Sequence, residues 1–404
     1  MKNIYSSGLI SGLFLLLILC AGSAISPLKT LAAVPDGTVV RGERPPIDIA
    51  TVPDEAMEQG IIRIKFNRTV ESLLDNGMIS SNPDGSVRFG IAGIDQLNQQ
   101  FGVSEVKKTF DAALQNTKYT ERHRLWDFHL WYDLIVPAGT DIRSMVMAYS
   151  AKNEIQSSEP VYKIERFGSD MNTIGSPVVL SGGTNLSYTP NDPQYYQQWH
   201  YHNTGQLSGT VDADIDLPEA WDITRGSSNV VVAIIDGGID YNHLDLAANM
   251  WPGIGYNFIT NTPVVTAENH GTHVAGTVAA NTNNSVGVSG VAGGDGSGNG
   301  VRLMSCQVFS NSGNGGFENA PVWAADNGAA ISQNSWGYTA PGVFSQAVLD
   351  AIDYFNLNGG GTVLNGGISI FCAMNENSSG GYYPAYYSNT LAVASTNNND
   401  QKSY

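Results

Sequence analysis

Two features in the second half of the chain have the residue types that acid–base chemistry needs. The first is Asp236, which ends a continuous apolar run beginning at Val230 and is followed by two glycines. In parallel α/β sheets ligands bind beyond the carboxyl ends of the strands, so a carboxylate at such an end is placed for function. A helix cap or a loop carboxylate is the other interpretation, and Asp236 taken alone does not decide between them.

The second feature is the motif His-Gly-Thr-His-Val-Ala-Gly-Thr at 270–277, which favours the functional interpretation. A histidine followed by glycine, at the start of a helix with small residues on one face, can hold its imidazole in a cleft. The spacing of His270 and His273 also allows a zinc site. No glutamate follows His270 in the zincin manner, however, and no third ligand is spaced to complete such a site.

Alternating strands and helices after Tyr188 would position these residues. Three apolar runs predict buried strands at 230–235, 300–304 and 368–373. Three further stretches predict helices at 270–280, 320–327 and 344–356. This alternation predicts an α/β fold in which helices cover both faces of a parallel sheet.

A smaller unit precedes this region. Strand-like segments at 61–66, 128–136 and 161–164 are interleaved with helix-like stretches at 94–101 and 142–153, the latter capped by Asp141. The mixture predicts a small α+β domain over 57–168. Proline-rich residues 25–56 and the glycine-, serine- and asparagine-rich residues 169–187 are predicted linkers, the second suited to proteolytic cleavage. Residues 188–404 are the larger predicted domain.

The N-terminus is typical of a secretory signal peptide over 1–24. Lys2 provides a positive charge, an apolar run extends from Leu9 to Cys20, and small residues follow it. An uncleaved anchor is the alternative, while Leu19 fits a lipoprotein cleavage site at Cys20 poorly. We therefore expect a secreted protein with no membrane contact once the signal is removed.

Composition and charge exclude several classes of protein. Hydrophobic residues make up 42% of the chain and charged residues only 14%, which argues against disorder. The net charge is −17, and the residues from Tyr188 onward carry 17 acidic against three basic side chains, which argues against nucleic acid as a partner. Cys306 and Cys372 lie in strand-like runs and are predicted to be buried free thiols rather than a disulfide framework.

Together these motifs resemble the subtilisin family of serine proteases. The resemblance rests on Ile-Ile-Asp-Gly-Gly-Ile-Asp at 234–240, the histidine motif extended to 269–280, and Asn-Ser-Trp-Gly at 334–337. Residues 188–193 are similar to the start of the thermitase-like branch, and the unit at 57–168 is similar to the family's ferredoxin-like inhibitory propeptide. The resemblance implies a subtilisin-like fold, polypeptide substrates, and a propeptide that inhibits its own chain until cleavage near 170–190.

The resemblance also implies roles for single residues. Asp236 would orient His270, and His270 would act as the general base. Asn375 would donate a hydrogen bond to the developing oxyanion, and His273 would be a structural histidine beneath the site. The substrate cleft would be lined by Ser335, Trp336, Gly337 and Met374.

Two departures from the family pattern carry expectations of their own. Met374 stands where the family has glycine, which predicts a shallower substrate pocket or a strained loop. The family's serine motif, Gly-Thr-Ser-Met-Ala, does not occur in residues 1–404. We therefore expect a chain that is cut before this motif and is inactive as written. The alternatives are a non-catalytic, propeptide-bearing inhibitor or binding module, and an inactive gene fragment.

By the same resemblance, loop oxygens would hold a structural calcium ion. The implied ligands are Asp192, Asp245, Asn284 and the backbone carbonyls of Val286 and Val288. Hard oxygen ligands of this kind suit Ca²⁺. Solvated loop carboxylates are the alternative, and the loop at 281–285 is one residue longer than in the simplest members, so the ligand set stays open.

Overall fold

The computed structural model describes residues 39–77, 79–167, 188–375 and 377–403. The predicted signal peptide at 1–24 and the predicted linker at 169–187 lie outside these residues. Within the described ranges, no helix combines the length and the apolar character that crossing a bilayer requires.

Residues 57–167 form what we call the N-terminal unit. Its strands are β1 (Met57–Phe66), β2 (Ser80–Ser81), β3 (Val87–Arg88), β4 (Glu105–Lys108), β5 (Trp131–Ile135), β6 (Ile155–Tyr162) and β7 (Ile164–Arg166). Its helices are α1 (Glu71–Asn76), α2 (Ala92–Phe101), α3 (Asp111–Leu114), α4 (Thr120–Leu125) and α5 (Ile142–Ser150). The strands β4, β5, β1 and β6 form an antiparallel sheet in that order.

Apolar and charged side chains alternate along β1 and lie on opposite faces of this sheet. Ile62, Ile64 and Phe66 are fully buried, as the core positions of a strand should be. The alternate residues Arg63 and Lys65 are 6% and 3% exposed, because a second unit covers the opposite face of the sheet. One face of β1 therefore builds the core and the other face carries charge into an interface.

The helix predicted after Asp141 is present as α5. The Asp141 carboxylate accepts a hydrogen bond from the backbone N–H of Ser144 at 3.1 Å, which is an N-terminal cap. Two strand predictions were less accurate. The strand expected at 128–136 begins only at Trp131, because Phe128–Leu130 is a 3₁₀ helix. The strand expected at 161–164 is divided between two strands: residues 161–162 end β6, which begins at Ile155, and Ile164 begins β7. The polar sequence at the start of β6 is covered by β1 and by the second unit.

Residues 188–403 form the C-terminal unit. Its strands are β8 (Val231–Gly237), β9 (Met250–Asn257), β10 (Arg302–Ser310), β11 (Gly313–Asn314), β12 (Ile331–Asn334), β13 (Trp336–Tyr338), β14 (Ile368–Cys372) and β15 (Leu391–Val393). Its helices are α6 (Leu217–Trp221), α7 (Asn269–Ala279), α8 (Asn319–Asp326) and α9 (Gln346–Asn358). Short 3₁₀ helices across both units and the segment before them occur at Asp54–Ala56, Arg68–Val70, Thr117–Tyr119, Phe128–Leu130, Tyr195–Gln197, Gln206–Ser208 and Ala247–Asn249.

The C-terminal unit is built on a mostly parallel sheet in the order β11-β10-β8-β12-β14-β15, with β9 also paired to β10. Only β11 runs antiparallel to its neighbour. The predicted α/β class, a parallel sheet flanked by helices, is confirmed. Cys306 on β10 and Cys372 on β14 are buried and free, as predicted. Burial raises the pKa of both thiols, that of Cys372 to about 12.

Polar contacts join the two units. The Glu159 carboxylate accepts hydrogen bonds from the hydroxyl of Ser345 at 2.6 Å and from the backbone N–H of Gln346 at 2.8 Å, at the start of α9. His123 Nε2 lies 2.7 Å from the Asp326 carboxylate. Burial raises the pKa of Glu159 to about 7. The N-terminal unit is therefore docked on α8 and α9 by buried groups rather than tethered loosely.

Candidate active site

Asp236 lies at the carboxyl edge of the parallel sheet. It is the penultimate residue of β8 and is 1% exposed. Its Oδ1 accepts a hydrogen bond from the backbone N–H of Gly237 at 2.6 Å, while its Oδ2 is buried without a donor in the described part of the chain. A buried carboxylate held in this way favours a positively charged neighbour.

His270 is that neighbour. It is the second residue of α7, and its Nδ1 lies 2.7 Å from Asp236 Oδ1. The helix comes close to β8 because residue 271 is glycine: a Cβ there would lie 2.1 Å from the carbonyl oxygen of Gly237. The small residue after the histidine therefore allows the contact between the imidazole and the carboxylate.

Glu268 caps the helix that carries His270. Its carboxylate accepts hydrogen bonds from the backbone N–H groups of His270 at 3.0 Å and Gly271 at 3.3 Å. The same carboxylate lies 2.7 Å from the guanidinium of Arg166 on β7. Sequence reasoning missed Glu268, although an acidic residue just before a predicted helix is a capping signal that could have revealed it.

The predicted cleft strand Asn-Ser-Trp-Gly receives an extended segment of the chain itself. Strand β7 pairs antiparallel with β13, so that Ile164, Glu165 and Arg166 face Tyr338, Gly337 and Trp336. The next residue, Phe167, donates its backbone N–H to the carbonyl of Ser335 at 2.7 Å. Three of the predicted cleft residues, Ser335, Trp336 and Gly337, thus form an edge that binds a peptide by strand addition.

The bound segment brings a carbonyl group to the histidine. The Phe167 carbonyl oxygen lies 3.0 Å from His270 Nε2, while Asp236 faces the other ring nitrogen. Burial lowers the pKa of His270, but the hydrogen bond and charge of Asp236 and the Phe167 carbonyl outweigh it, so the pKa is raised. Because both nitrogens face oxygen acceptors, the doubly protonated imidazolium is favoured while the segment is bound.

A titration of His270 tests this balance directly. In the intact chain the pKa of His270 should lie above its ordinary value of 6.5. Asp236→Asn removes the charge that raises the pKa and leaves the burial that lowers it, so the pKa should be lower than in the intact chain. The measurement is the pH dependence of the His270 Cε1–H NMR signal. Asp240→Asn is the matched control, and equal shifts in both variants would contradict the assignment.

Met374 and Asn375 follow the end of β14, on the same edge of the sheet. Met374 has a φ of 70°, a left-handed backbone that a residue with a Cβ adopts at a cost. Its sulfur packs over the cleft strand, since a Cβ placed on Gly337 would lie 2.6 Å from it. The methionine therefore covers part of the edge that binds the peptide segment.

The five residues implied as calcium ligands form one network. Asp192 accepts hydrogen bonds from the backbone of Asn284 at 3.0 Å, and Asn284 donates its side chain to Asp245 at 2.9 Å. The backbone N–H of Val286 donates to the Asn284 side chain, and that of Val288 donates to Asp245.

The charges of this network fit a cation. Asp192 and Asp245 are 5% and 2% exposed, and neither contacts a lysine or arginine within the described residues. Burial and, secondly, the charge of Asp192 raise the pKa of Asp245. No group of three or more histidine, cysteine, aspartate or glutamate side chains in the described ranges could hold a metal by itself, so backbone and amide oxygens would have to complete the site.

A model of the subtilase family matches residues 227–404. Thermitase of Thermoactinomyces vulgaris is 37% identical over 221 residues, which cover 54% of this chain and 68% of thermitase. The halolysin-like extracellular serine protease Nep of Natrialba magadii is 32% identical over 216 residues, covering 51% of this chain and 35% of Nep.

Among solved structures, fervidolysin from Fervidobacterium pennivorans, a keratinolytic enzyme related to subtilisin, superposes with a TM-score of 0.52 at 20% identity. The superposition covers 88% of this chain and 45% of fervidolysin. At this identity the likeness concerns the fold. The chain spans about a third of Nep and just under half of fervidolysin.

Proposed function

The chain belongs to the subtilase family of serine proteases, and we propose that it is the zymogen of a secreted endopeptidase. Residues 57–167 would be the inhibitory propeptide and residues 188–404 part of the peptidase domain. His270, oriented by Asp236, would take the proton of a serine hydroxyl as that oxygen attacks the substrate carbonyl. It would then give the proton to the leaving amine, while Asn375 stabilises the oxyanion.

One observation carries the proposal: the chain's own segment lies in the cleft as a substrate would. It adds to β13 as an antiparallel strand, and its last described carbonyl, that of Phe167, faces the base at 3.0 Å. The bond after Phe167 is accordingly the proposed activation site, which lies before the region near 170–190 where the sequence predicted cleavage. The Arg166 guanidinium lies beside Glu268, which indicates that the cleft accepts a basic residue at the substrate position preceding the one that Phe167 occupies.

Secretion is part of the proposal. Its support is the signal-like sequence at 1–24 and the similarity to Nep, whose name describes an extracellular protease. The excess of acidic over basic residues from Tyr188 onward suits a soluble protein outside the cell.

The decisive experiment is to sequence the gene beyond the codon for Tyr404. An open frame that reaches Gly-Thr-Ser-Met-Ala within a few dozen codons supports the proposal, and its product, hereafter the serine-complete protein, should hydrolyse casein. A stop codon after Tyr404 with no such motif in any frame contradicts it. Either the non-catalytic inhibitor or the inactive gene fragment then replaces the protease, and inhibition of a subtilisin-type enzyme by the 404-residue chain would favour the inhibitor.

Calcium is proposed as a structural ion at the Asp192 and Asp245 network. Removing it with a chelator should lower the melting temperature of the 404-residue chain by roughly 5–10 °C, because a ligand at about 100 times its Kd stabilises by about 2.7 kcal/mol. Readdition of Ca²⁺ should restore the melting temperature, and Asp245→Asn should abolish the response. Asp400→Asn, on an exposed loop, is the control variant. Identical melting curves with and without calcium would contradict the site.

Met374 is proposed to limit the cleft. In the serine-complete protein, Met374→Gly should raise kcat/KM for peptides on the order of tenfold, by removing side-chain atoms over β13 and relaxing a left-handed backbone. Met374→Ala separates the two causes, because it removes the side chain but keeps a Cβ at a φ of 70°. Peptide kinetics decide the matter: unchanged kcat/KM in Met374→Gly would show that this residue does not restrict turnover.

A further inference from the structure

The segment before the N-terminal unit, predicted as part of a linker, places two arginines against the C-terminal unit. We call residues 39–56 the arm. Arg41 Nε lies 2.7 Å from Asp350 Oδ1, and Arg44 bridges Asp350 at 2.7 Å and Asp353 at 2.6 Å. The far end of the arm is held by the N-terminal unit, where Arg143 on α5 donates to the Ile49 carbonyl at 3.1 Å.

The pocket that receives Arg44 is built from one face of α9 and a tyrosine. Gln346, Asp350 and Asp353 follow helical spacing, and each accepts a hydrogen bond from the Arg44 guanidinium. Tyr387 donates its hydroxyl to Asp353 at 2.6 Å and lies under the guanidinium, 5.8 Å from ring centroid to Cζ. Planar, forked recognition of this kind fits arginine and not lysine.

The backbone of the arm is fitted to the same pocket. The N–H of Gly42 donates to the Tyr387 hydroxyl at 2.8 Å. A Cβ on residue 42 would lie 2.6 Å from the tyrosine ring, so only glycine allows this approach. The motif Arg-Gly-Glu-Arg at 41–44 is therefore complementary to the pocket in its side chains and in its main chain.

The two carboxylates of the pocket are paired with cations from outside the C-terminal unit. Asp350 and Asp353 are each 2% exposed. Among the described residues, every cation that contacts them comes from the arm or the N-terminal unit: Arg41, Arg44 and, at 3.7 Å, Lys65. When these leave, the two carboxylates, three residues apart on α9, lose the cations that contact them and repel each other, so a replacement cation would be favoured.

We propose that Gln346, Asp350, Asp353 and Tyr387 form an arginine-binding site, and that the arm is its intramolecular ligand. The site is separate from the groups of the peptide cleft, so it gives the N-terminal part of the chain a second anchor. Two consequences rest on the proposed function. After cleavage, the propeptide stays bound through the arm until Arg41 and Arg44 also dissociate from the site. Maturation therefore leaves the arginine-binding site free.

Trypsin accessibility of the arm tests the site in the 404-residue chain. Trypsin can cut the Arg41–Gly42 bond only when the arm is undocked, so the cutting rate reports the undocked population. Arg44→Ala and Asp353→Asn should each raise the rate at least about tenfold, and the double variant should add little because both remove one shared contact. Arg44→Lys should remain faster than wild type. Glu43→Gln, an exposed position on the arm, is the charge-matched control.

A binding experiment asks whether the pocket recognises arginine itself. The Arg44→Ala chain, which lacks the Arg44 guanidinium but keeps every pocket residue, is titrated with a synthetic peptide of residues 39–49 in excess, so that the peptide displaces the remaining contacts of the arm at Asp350 and Tyr387. Saturable binding is expected, with loss of binding when the peptide carries alanine at position 44 or when the chain also carries Asp353→Asn. Because Arg44 lies on the arm, thermal unfolding of Arg44→Ala should show an intact C-terminal unit.

The outcomes separate this proposal from the proposed function, since neither assay uses peptide hydrolysis by this chain. Equal cutting at Arg41–Gly42 in all variants, together with no peptide binding, would overturn the arginine site whatever the enzyme does. Protection of the arm in a chain whose gene never supplies the serine would leave the site standing and overturn the protease alone.

Discussion

Replacing His270 by alanine in the serine-complete protein should lower kcat on the order of 10⁶-fold, the loss that removal of the triad histidine causes in subtilisin. No other imidazole is paired with Asp236 at the end of β8, within the described residues, to take over the proton. Asp236→Asn should cost less, about 10⁴-fold, because the base survives but loses the acceptor that orients it. Initial rates on a peptide substrate and the rate of self-cleavage after Phe167 are the two measurements.

The order of these effects distinguishes roles from general damage. His243→Asn, an exposed histidine, is the control and should keep full activity. All variants should melt within a few degrees of the parent chain. Hydrolysis that persists in His270→Ala would show that His270 is not the general base. If His270→Ala does not fold, its rates are uninformative, and the kcat of Asp236→Asn then tests the assignment.

Replacing Arg63 by alanine should destabilise the docked N-terminal unit by about 3–5 kcal/mol, the usual cost of breaking a buried ion pair. Arg63 is 6% exposed, lies 2.7 Å from Asp133 on β5 and 3.3 Å from Glu318 on the C-terminal unit. Burial already raises the pKa of Glu318, and without Arg63 its carboxylate is left unpaired at the interface. Chemical unfolding of the 404-residue chain measures the loss.

The sign of the pH dependence provides a second readout. An acid whose folded pKa is raised contributes stability at low pH that is lost as the pH rises through that pKa. The loss of unfolding free energy caused by Arg63→Ala should therefore be smaller at acidic pH. At neutral pH, adding Glu318→Gln to Arg63→Ala should recover part of the lost stability. The control is Arg88→Ala, 53% exposed and 3.9 Å from Asp95, which should cost at most about 1 kcal/mol. Equal losses in the two variants would show that Arg63 is not an interface anchor.

The strongest sequence predictions concern elements that form by local rules. The apolar run before Asp236 predicted β8, and the three predicted helices of the C-terminal unit occur as α7, α8 and α9 with ends shifted by up to two residues. The cap at Asp141 was predicted because its side chain bonds its own helix. In these cases the deciding contacts lie within a few residues, so the sequence carries the information directly.

Other elements depend on partners distant in sequence, and there the pattern was a poor guide. The polar sequence of β6 is a strand because β1 and the C-terminal unit cover it. The arm was predicted as part of a linker because its prolines and charges have no periodicity, yet Arg44 lies in a pocket more than 300 residues away along the chain. No local rule reports a pairing of that separation.

The sequence by itself determined the family resemblance, the parallel α/β class, and the positions of Asp236 and His270 at a strand end and a helix start. These follow from hydrophobic periodicity and from motif spacing, which are properties of neighbouring residues. Only the tertiary structure decided that β7 fills the cleft, that Phe167 faces His270, that Glu268 meets Arg166, and that Arg44 reaches Asp353. Each of these contacts is made between surfaces that exist only once the two units have folded and docked, because their charges and backbone groups are matched in space and not along the chain.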